Sequence, residues 1–200
     1  SAVNIPPAGP ADLISGVSYY LTVASTDSAG GGGNYEAWDS PRGSTFTFDD
    51  TAPVTGIVSP VDVSFRNTVP SFSGSSFDNV ETSTVQLSIL DVTGTQCYNP
   101  AVNGFNLPCS AAWFGAQGST TSWSFAFPAQ PWVHAQTYIL RSSATDIATN
   151  VQTSISSAAF TYDIFAATAA RTIPVTNALG PVLGNIAGTA RDIDAGISSL

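Results

Sequence analysis

The sequence predicts an all-β chain of tandem sandwich modules, one complete and two partial. Three observations carry that reading. Short segments of period-two alternation recur along the chain, whereas no apolar stripe of period 3.6 persists for three turns. Residues 16–31, GVSYYLTVASTDSAGG, return as residues 135–150, AQTYILRSSATDIATN: placing Asp146 on Asp27 also places Tyr138 on Tyr19, Leu140 on Leu21, Thr145 on Thr26 and Ala148 on Ala29. Phe46-Thr47-Phe48-Asp49 returns as Phe160-Thr161-Tyr162-Asp163, and the stretch from Phe72 to Asp78 returns as the stretch from Ile186 to Asp192. Self-similarity over a domain-sized period means tandem units, each with its own core. The two echoes differ slightly in spacing, and Gly30-Gly31-Gly32-Gly33 absorbs the difference as a loop insertion of little cost.

In chain order, Pro6, Pro7 and Pro10 disfavour helix in residues 1–15, so an extended or looped entry is expected. A strand over Val17–Ala24 follows, then a Thr-Asp-x-Ala turn, the glycine run and the aromatic pair Tyr35 and Trp38. Residues 44–48 alternate polar and apolar and read as a half-buried strand. Asp49-Asp50-Thr51-Ala52-Pro53 reads as a polar link, which sets domain limits at 1–49, 50–163 and 164–200. Strands are expected at Val54–Val58, from Ser71 to a turn at Asp78-Asn79, and over Thr84–Leu90 with Val85, Leu87 and Ile89 on one face. Asp91-Val92-Thr93-Gly94 supplies a hairpin turn, and the segment between Cys97 and Cys109, lacking any period, reads as a loop. Residues 122–127 alternate so that Trp123, Phe125 and Phe127 share a face, and Tyr138–Ala144 and 158–162 close the module. Residues 164–172 read as a small-residue link, with further strands at 172–175 and 183–188.

Composition narrows the function classes. The 200 residues are 43% hydrophobic, enough for a real core, and only 10% charged. There is no lysine: Arg42, Arg66, Arg141, Arg171 and Arg191 face 14 acids, for a net charge of −9. Such a surface repels phosphate backbones and anionic headgroups, so no nucleic-acid partner is expected. No apolar run reaches the roughly 18 residues of a membrane helix, so no membrane insertion is expected, and Ser1 reads as the start of a processed or excised chain. Cys97 and Cys109 lack a CxxC spacing and have no histidine nearby. In an extracellular chain they read as a disulfide worth about 3 kcal/mol.

These segments resemble the bacterial immunoglobulin-like repeats of large surface proteins. Such repeats open on a DTxxP-like link, here Asp50-Thr51-Ala52-Pro53; they run through an xxGxxxDN segment, here residues 73–79, and close on a GxYxLxxxAxDxAGN pattern, here Tyr138 to Asn150 and, in the first copy, Gly16 to Gly30. The cysteine segment departs from the pattern. The resemblance implies immunoglobulin-like β-sandwiches strung into extracellular stalks, adhesins and fibres, with no catalytic residues. Joining the two ends in thought, Ile197–Leu200 leads into Val3 and Ile5 as one alternating strand. The expectation is a structural subunit or repeat whose copies assemble head to tail. Ile173, Val175, Leu183, Ile186, Ile197 and Leu200 would meet Val3, Ile5, Leu13, Tyr19 and Leu21 of the next copy.

The acids and aromatics admit three other chemistries. Catalysis by paired carboxylates is not expected: Asp49 and Asp50 are adjacent at a strand end and point apart, and Asp27 and Asp146 share one turn position as local caps. Calcium is the functional alternative to plain solvated turns for Asp49, Asp50, Asp163, Asp192 and Asp194, and no other cofactor is expected. The alternative function is a carbohydrate-binding or spacer module of a secreted enzyme or adhesin, and surface glycans or other cells are the external partners either reading allows. The stacking surface of such a module would be Tyr98, Trp113 and Trp132, with Tyr98 and Phe105 held out on the stapled loop. His134, the one histidine, reads as a surface loop residue.

Overall fold

Alternation becomes strand pairing along much of the described chain. A computed structural model describes residues 13–21, 27, 44–118, 120–174, 180, 182 and 184–192. The described residues hold strands, turns and one 3-10 turn at Cys109–Ala111, and no α-helix. The expected contributions of Val3, Ile5, Tyr35, Trp38, Val175, Leu183, Asp194, Ile197 and Leu200 lie outside the described residues.

Two sheets build the centre. One contains β3 (Val54–Ser59) at an edge, β5 (Ser71–Phe77), β11 (Ser122–Ala126) and the short β10 (Gln117–Gly118). The other runs in the order β4 (Ser64–Arg66), β13 (Ser156–Tyr162), β12 (Gln136–Asp146), β6 (Thr82–Asp91), β7 (Gln96–Asn99) and β8 (Gly104–Leu107), with β9 (Phe114–Gly115) also paired to β6. Among the described residues all pairings are antiparallel except β4 with β13. The inward residues are those the alternation assigns: Val85, Leu87 and Ile89 from β6, Tyr138 and Leu140 from β12, Phe72 from β5 and Trp123 from β11. Each fully buried side chain of this size contributes about 1.5–3 kcal/mol, so the core rests on its aromatic ring system.

The cysteine segment is a hairpin rather than an irregular loop. Cys97 and Cys109 are joined, and β7 pairs with β8 across a turn in which Asn103 has φ 49°. A register shift between Cys97 and Tyr98 aims Tyr98 into the core, 1% exposed, against Phe105, Phe114, Phe125 and Phe127. Its hydroxyl donates to Asn103 Oδ1 at 2.8 Å, and burial pushes the phenol above its ordinary pKa. Trp132 is likewise buried and donates its indole N–H to Val69 O at 3.1 Å. The expected sugar-stacking surface of Tyr98, Trp113 and Trp132 therefore does not exist as a platform: two of its three rings are core, Phe105 packs on Tyr98 and Tyr138, and Trp113 is half-buried.

A hairpin flanks the centre on each side in sequence. The first is β1 (Val17–Leu21) with β2 (Ser44–Phe48); the second is β14 (Thr168–Ile173) with β15 (Ala187–Arg191), so a strand starts inside the expected 164–172 link. Each reproduces a pair of the centre. Residues 54, 55, 56, 57 and 59 oppose 77, 76, 75, 74 and 73 in β3–β5; residues 168, 169, 170, 171 and 173 oppose 191, 190, 189, 188 and 187 in β14–β15, and both ladders shift before their last pair. Likewise Tyr19 opposes Phe46 as Tyr138 opposes Phe160.

Individual bonds repeat too. Gly16 N–H donates to Phe48 O at 2.8 Å, and Ala135 N–H to Tyr162 O at 2.8 Å. Both residues have positive φ, 79° and 62°, so Ala135 adopts a conformation that glycine takes freely. Tyr19 Oη accepts from Ile14 N–H at 2.7 Å, as Tyr138 Oη accepts from Val133 N–H at 2.9 Å. The Ser18 and Thr47 hydroxyls lie 2.9 Å apart, as do those of Thr137 and Thr161.

Candidate functional site

Three polar turns meet where the first hairpin joins the central sandwich. Asp49 ends β2 and holds its own turn: its Oδ1 accepts from Thr51 N–H at 3.1 Å and from the Ser15 hydroxyl at 3.0 Å. Asp78 ends β5, and its Oδ2 accepts from Val80 and Glu81 N–H at 2.9 and 3.0 Å, the local bonding that an aspartate offers at a turn. Asp146 ends β12 and is buried; Asn150 donates its backbone N–H to Oδ1 and its side-chain amide to Oδ2, each at 2.8 Å. Asn150 also donates to Asp49 O at 3.1 Å, and Asn79 donates to the Ser15 hydroxyl at 3.1 Å, which ties the turns together.

The three carboxylates converge, each bringing an oxygen within 4.8 Å of the others. The hydrogen bonds of Asp49 and Asp78 use one oxygen of each group, whereas both oxygens of Asp146 accept from Asn150. Asp49 Oδ2 and Asp78 Oδ1 are shielded from solvent and have no hydrogen-bond partner. Shielded carboxylate oxygens without donors are costly, and a cation satisfies them. The donor set is all oxygen and anionic, which suits a hard divalent ion such as Ca²⁺, with six to eight ligands. Three carboxylates supply up to six oxygens, and neighbouring hydroxyls, carbonyls and water can complete the shell.

Of the acids expected to bind calcium, only Asp49 belongs to this group. Asp50 is exposed and outside it. Asp78 and Asp146 do the local work of turn residues, and the topology that brings the ends of β2, β5 and β12 together also sets their carboxylates beside that of Asp49. Of the other expected ligands, Asp163 and Asp192 sit at the other junction, and Asp194 lies outside the described residues. Asp163 occupies the place of Asp49 and Asp192 the place of Asp78, and both line one recess with Phe65–Thr68 and Ile164–Ala166. Asp163 Oδ1 accepts from Phe165 N–H at 3.0 Å, as Asp49 accepts from Thr51.

His134 takes the position that Ser15 holds in the first junction. Ile164 N–H donates to its Nδ1 at 3.3 Å where Asp50 N–H donates to Ser15 Oγ at 3.2 Å, and Nδ1 lies 3.5 Å from Asp163 Oδ1 where Ser15 bonds Asp49. Its ring lies tilted against that of Phe165, with the centroids 3.9 Å apart. The histidine is thus a junction residue rather than a loop bystander. Unlike side chains at equivalent positions hid it from sequence comparison.

No protein-family model and no curated protein matches the chain. Among the described residues, no helix is long and apolar enough to cross a membrane. Among solved structures, CopC from Methylosinus trichosporium OB3b is similar with a TM-score of 0.36 and 14% identity, over 55% of this chain and 94% of that chain. A likeness of that size carries no argument about this chain, and its all-β, sandwich-like architecture with one disulfide stands on its own geometry.

Proposed function

We propose that this chain is a structural segment of an extracellular fibre or stalk, in which immunoglobulin-like sandwiches follow one another. On this reading residues 50–163 are a complete module, 1–49 the closing part of the one before and 164–200 the opening part of the one after. The observation that carries it is the pair of flanking hairpins. In the centre, β3–β5 lies against β12–β13: the Thr55 and Ser142 hydroxyls are 2.8 Å apart, and the Phe72 and Phe160 rings 5.9 Å. The β14–β15 hairpin repeats the first pair and β1–β2 the second, so each is the partner that the other lacks.

Both hairpins expose what the centre buries. Phe46 is 46% exposed where Phe160 is 1%, and Ile186 is 74% exposed where Phe72 is 0%. Covering such faces is favourable at about 25 cal/mol per Å² of apolar area. Hairpin β14–β15 of one copy therefore closes on β1–β2 of the next, through a peptide bond in a longer repetitive chain or between separate subunits. A contact of this kind does not close on itself and extends as an open filament. In sedimentation velocity the chain is expected to grow with concentration. Phe46→Asp weakens that association at least about tenfold, a loss of about 1.4 kcal/mol, while the melt of the central sandwich stays put. A chain that remains monomeric at every concentration contradicts the proposal.

The converging carboxylates of Asp49, Asp78 and Asp146 support a cation at the first junction that fixes the angle between neighbours. Calcium is expected to raise the melting temperature of the chain, because a ligand held only by the folded state adds about 2.7 kcal/mol at a hundredfold excess over its Kd. Asp78→Asn keeps an acceptor for Val80 and Glu81 but loses the charge, so it abolishes the calcium shift. Identical melting curves of the wild-type chain in calcium and in EDTA return these acids to the role of solvated turns.

A further inference from the structure

We propose that the cleft beside the start of β6 binds a neutral saccharide, a ligand site separate from the junctions and from the hairpin faces. The cleft exists because one strand changes sheets. On one side Thr82 and Thr84 pair with β12; on the other, β9 covers only Gln86 and Leu87, and Ala116 N–H makes the last bond, to Val85 O at 2.9 Å. The chain then crosses to the opposite sheet, where Gln117 and Gly118 pair with β11. Residues 82–84 are left without a second neighbour, and a cavity of about 360 Å³ opens there.

Its lining defines the ligand. Thr82, Ser83, Thr84, Gln86 and Gln117 offer hydroxyls and amides that both donate and accept, Val85, Ala116 and a margin of the core residue Trp123 supply the apolar part of the lining, and no charged residue takes part. The indole is fixed in place by its N–H bond to Ser75 O at 3.0 Å. Thr82 is only 4% exposed, yet its Oγ1 has no hydrogen-bond partner. A buried hydroxyl without a partner, in a cleft lined by other hydroxyls and amides, is a group held ready for a ligand. Anions find no counter-charge here, cations no carboxylate. A peptide strand would find only three residues of open edge. The volume sits at the low end of the roughly 300–1,000 Å³ of small-molecule sites, which suits one or two sugar rings.

Two variants separate binding from folding. Thr82→Val keeps the shape and removes the unpartnered hydroxyl; a Cβ added at Gly115 meets nothing within 4 Å, so Gly115→Tyr plugs the cleft without a backbone clash. The full chain is screened on an array of neutral mono- and disaccharides, and the best binder is titrated by calorimetry. Expected are saturable binding by the wild-type chain, a weakening of about tenfold in Thr82→Val, no binding in Gly115→Tyr, and melting temperatures of both variants at or above wild type. Absence of any neutral saccharide binding, binding of equal strength in both variants, or capture of peptides in place of saccharides overturns the proposal. None of these outcomes bears on the association of hairpins, which the sedimentation of Phe46→Asp reads separately.

Discussion

Trp132→Ala is expected to destabilise the central sandwich by about 3–5 kcal/mol. The ring is a hub: it packs on Phe127 at 4.8 Å, Tyr138 at 5.0 Å, Phe160 at 5.2 Å and Phe72 at 5.7 Å, and so touches strands of both sheets. Truncation leaves a cavity among side chains that cannot all collapse, and it strips the Val69 carbonyl of its donor. In urea the midpoint falls while the slope stays unchanged, because the surface exposed on unfolding is nearly the same. Trp113→Ala is expected to cost much less, since that side chain is half-buried and outside the cluster. A Trp132→Ala chain of wild-type stability that has lost glycan binding would reinstate the sugar-stacking reading of this residue.

Gly74→Ala is expected to lower stability by about 3 kcal/mol or more. A Cβ at this position falls 2.1 Å from Gly56 O and 2.2 Å from the Trp123 ring. Gly56 and Gly74 lie on paired strands, so neither the carbonyl nor the indole, bonded to Ser75 O, can retreat without opening the β3–β5 ladder. The repeat supplies an internal control. Gly188 stands in the place of Gly74, and its added Cβ also meets backbone closely, Ala170 O at 2.8 Å, but it lies in the flanking β14–β15 hairpin and not in the central sandwich. Gly188→Ala should therefore leave the main thermal transition of the free chain in place. Equal melting temperatures for Gly74→Ala and wild type would mean that the two strands are not packed in this way.

Much of this architecture was legible because period-two alternation has one physical cause, a sheet with one buried face. Val85, Leu87 and Ile89, and the 122–127 run, fell where alternation put them, and the echo of Tyr19 in Tyr138 extended to the hydrogen bonds. Tyr98 was not legible. The register shift beside Cys97 breaks the period, so a residue on an apparently irregular segment enters the core. The acid cluster was half legible: Asp49, Asp78 and Asp146 are each recognisable as turn residues, but only the chain's route through two sheets brings β2, β5 and β12 to a common end. Sequence spacing holds no trace of that meeting. Nor does it show the cleft beside Thr82, which arises from a strand that leaves its neighbour early.

The claim that the flanking hairpins complete each other is tested most directly by joining them across chains. Ile186 and Phe46 occupy the places of Phe72 and Phe160, whose rings are 5.9 Å apart in the central sandwich. One population carries Ile186→Cys, a second carries Phe46→Cys, and the two are mixed and treated with a short bismaleimide; Cys97 and Cys109, being paired, do not react. A crosslinked dimer that forms in the mixture but in neither population alone, and a ladder of multimers from the doubly substituted chain, is the expected result. If the mixture yields no more dimer than the separate populations, the hairpins do not meet and the fibre account is wrong.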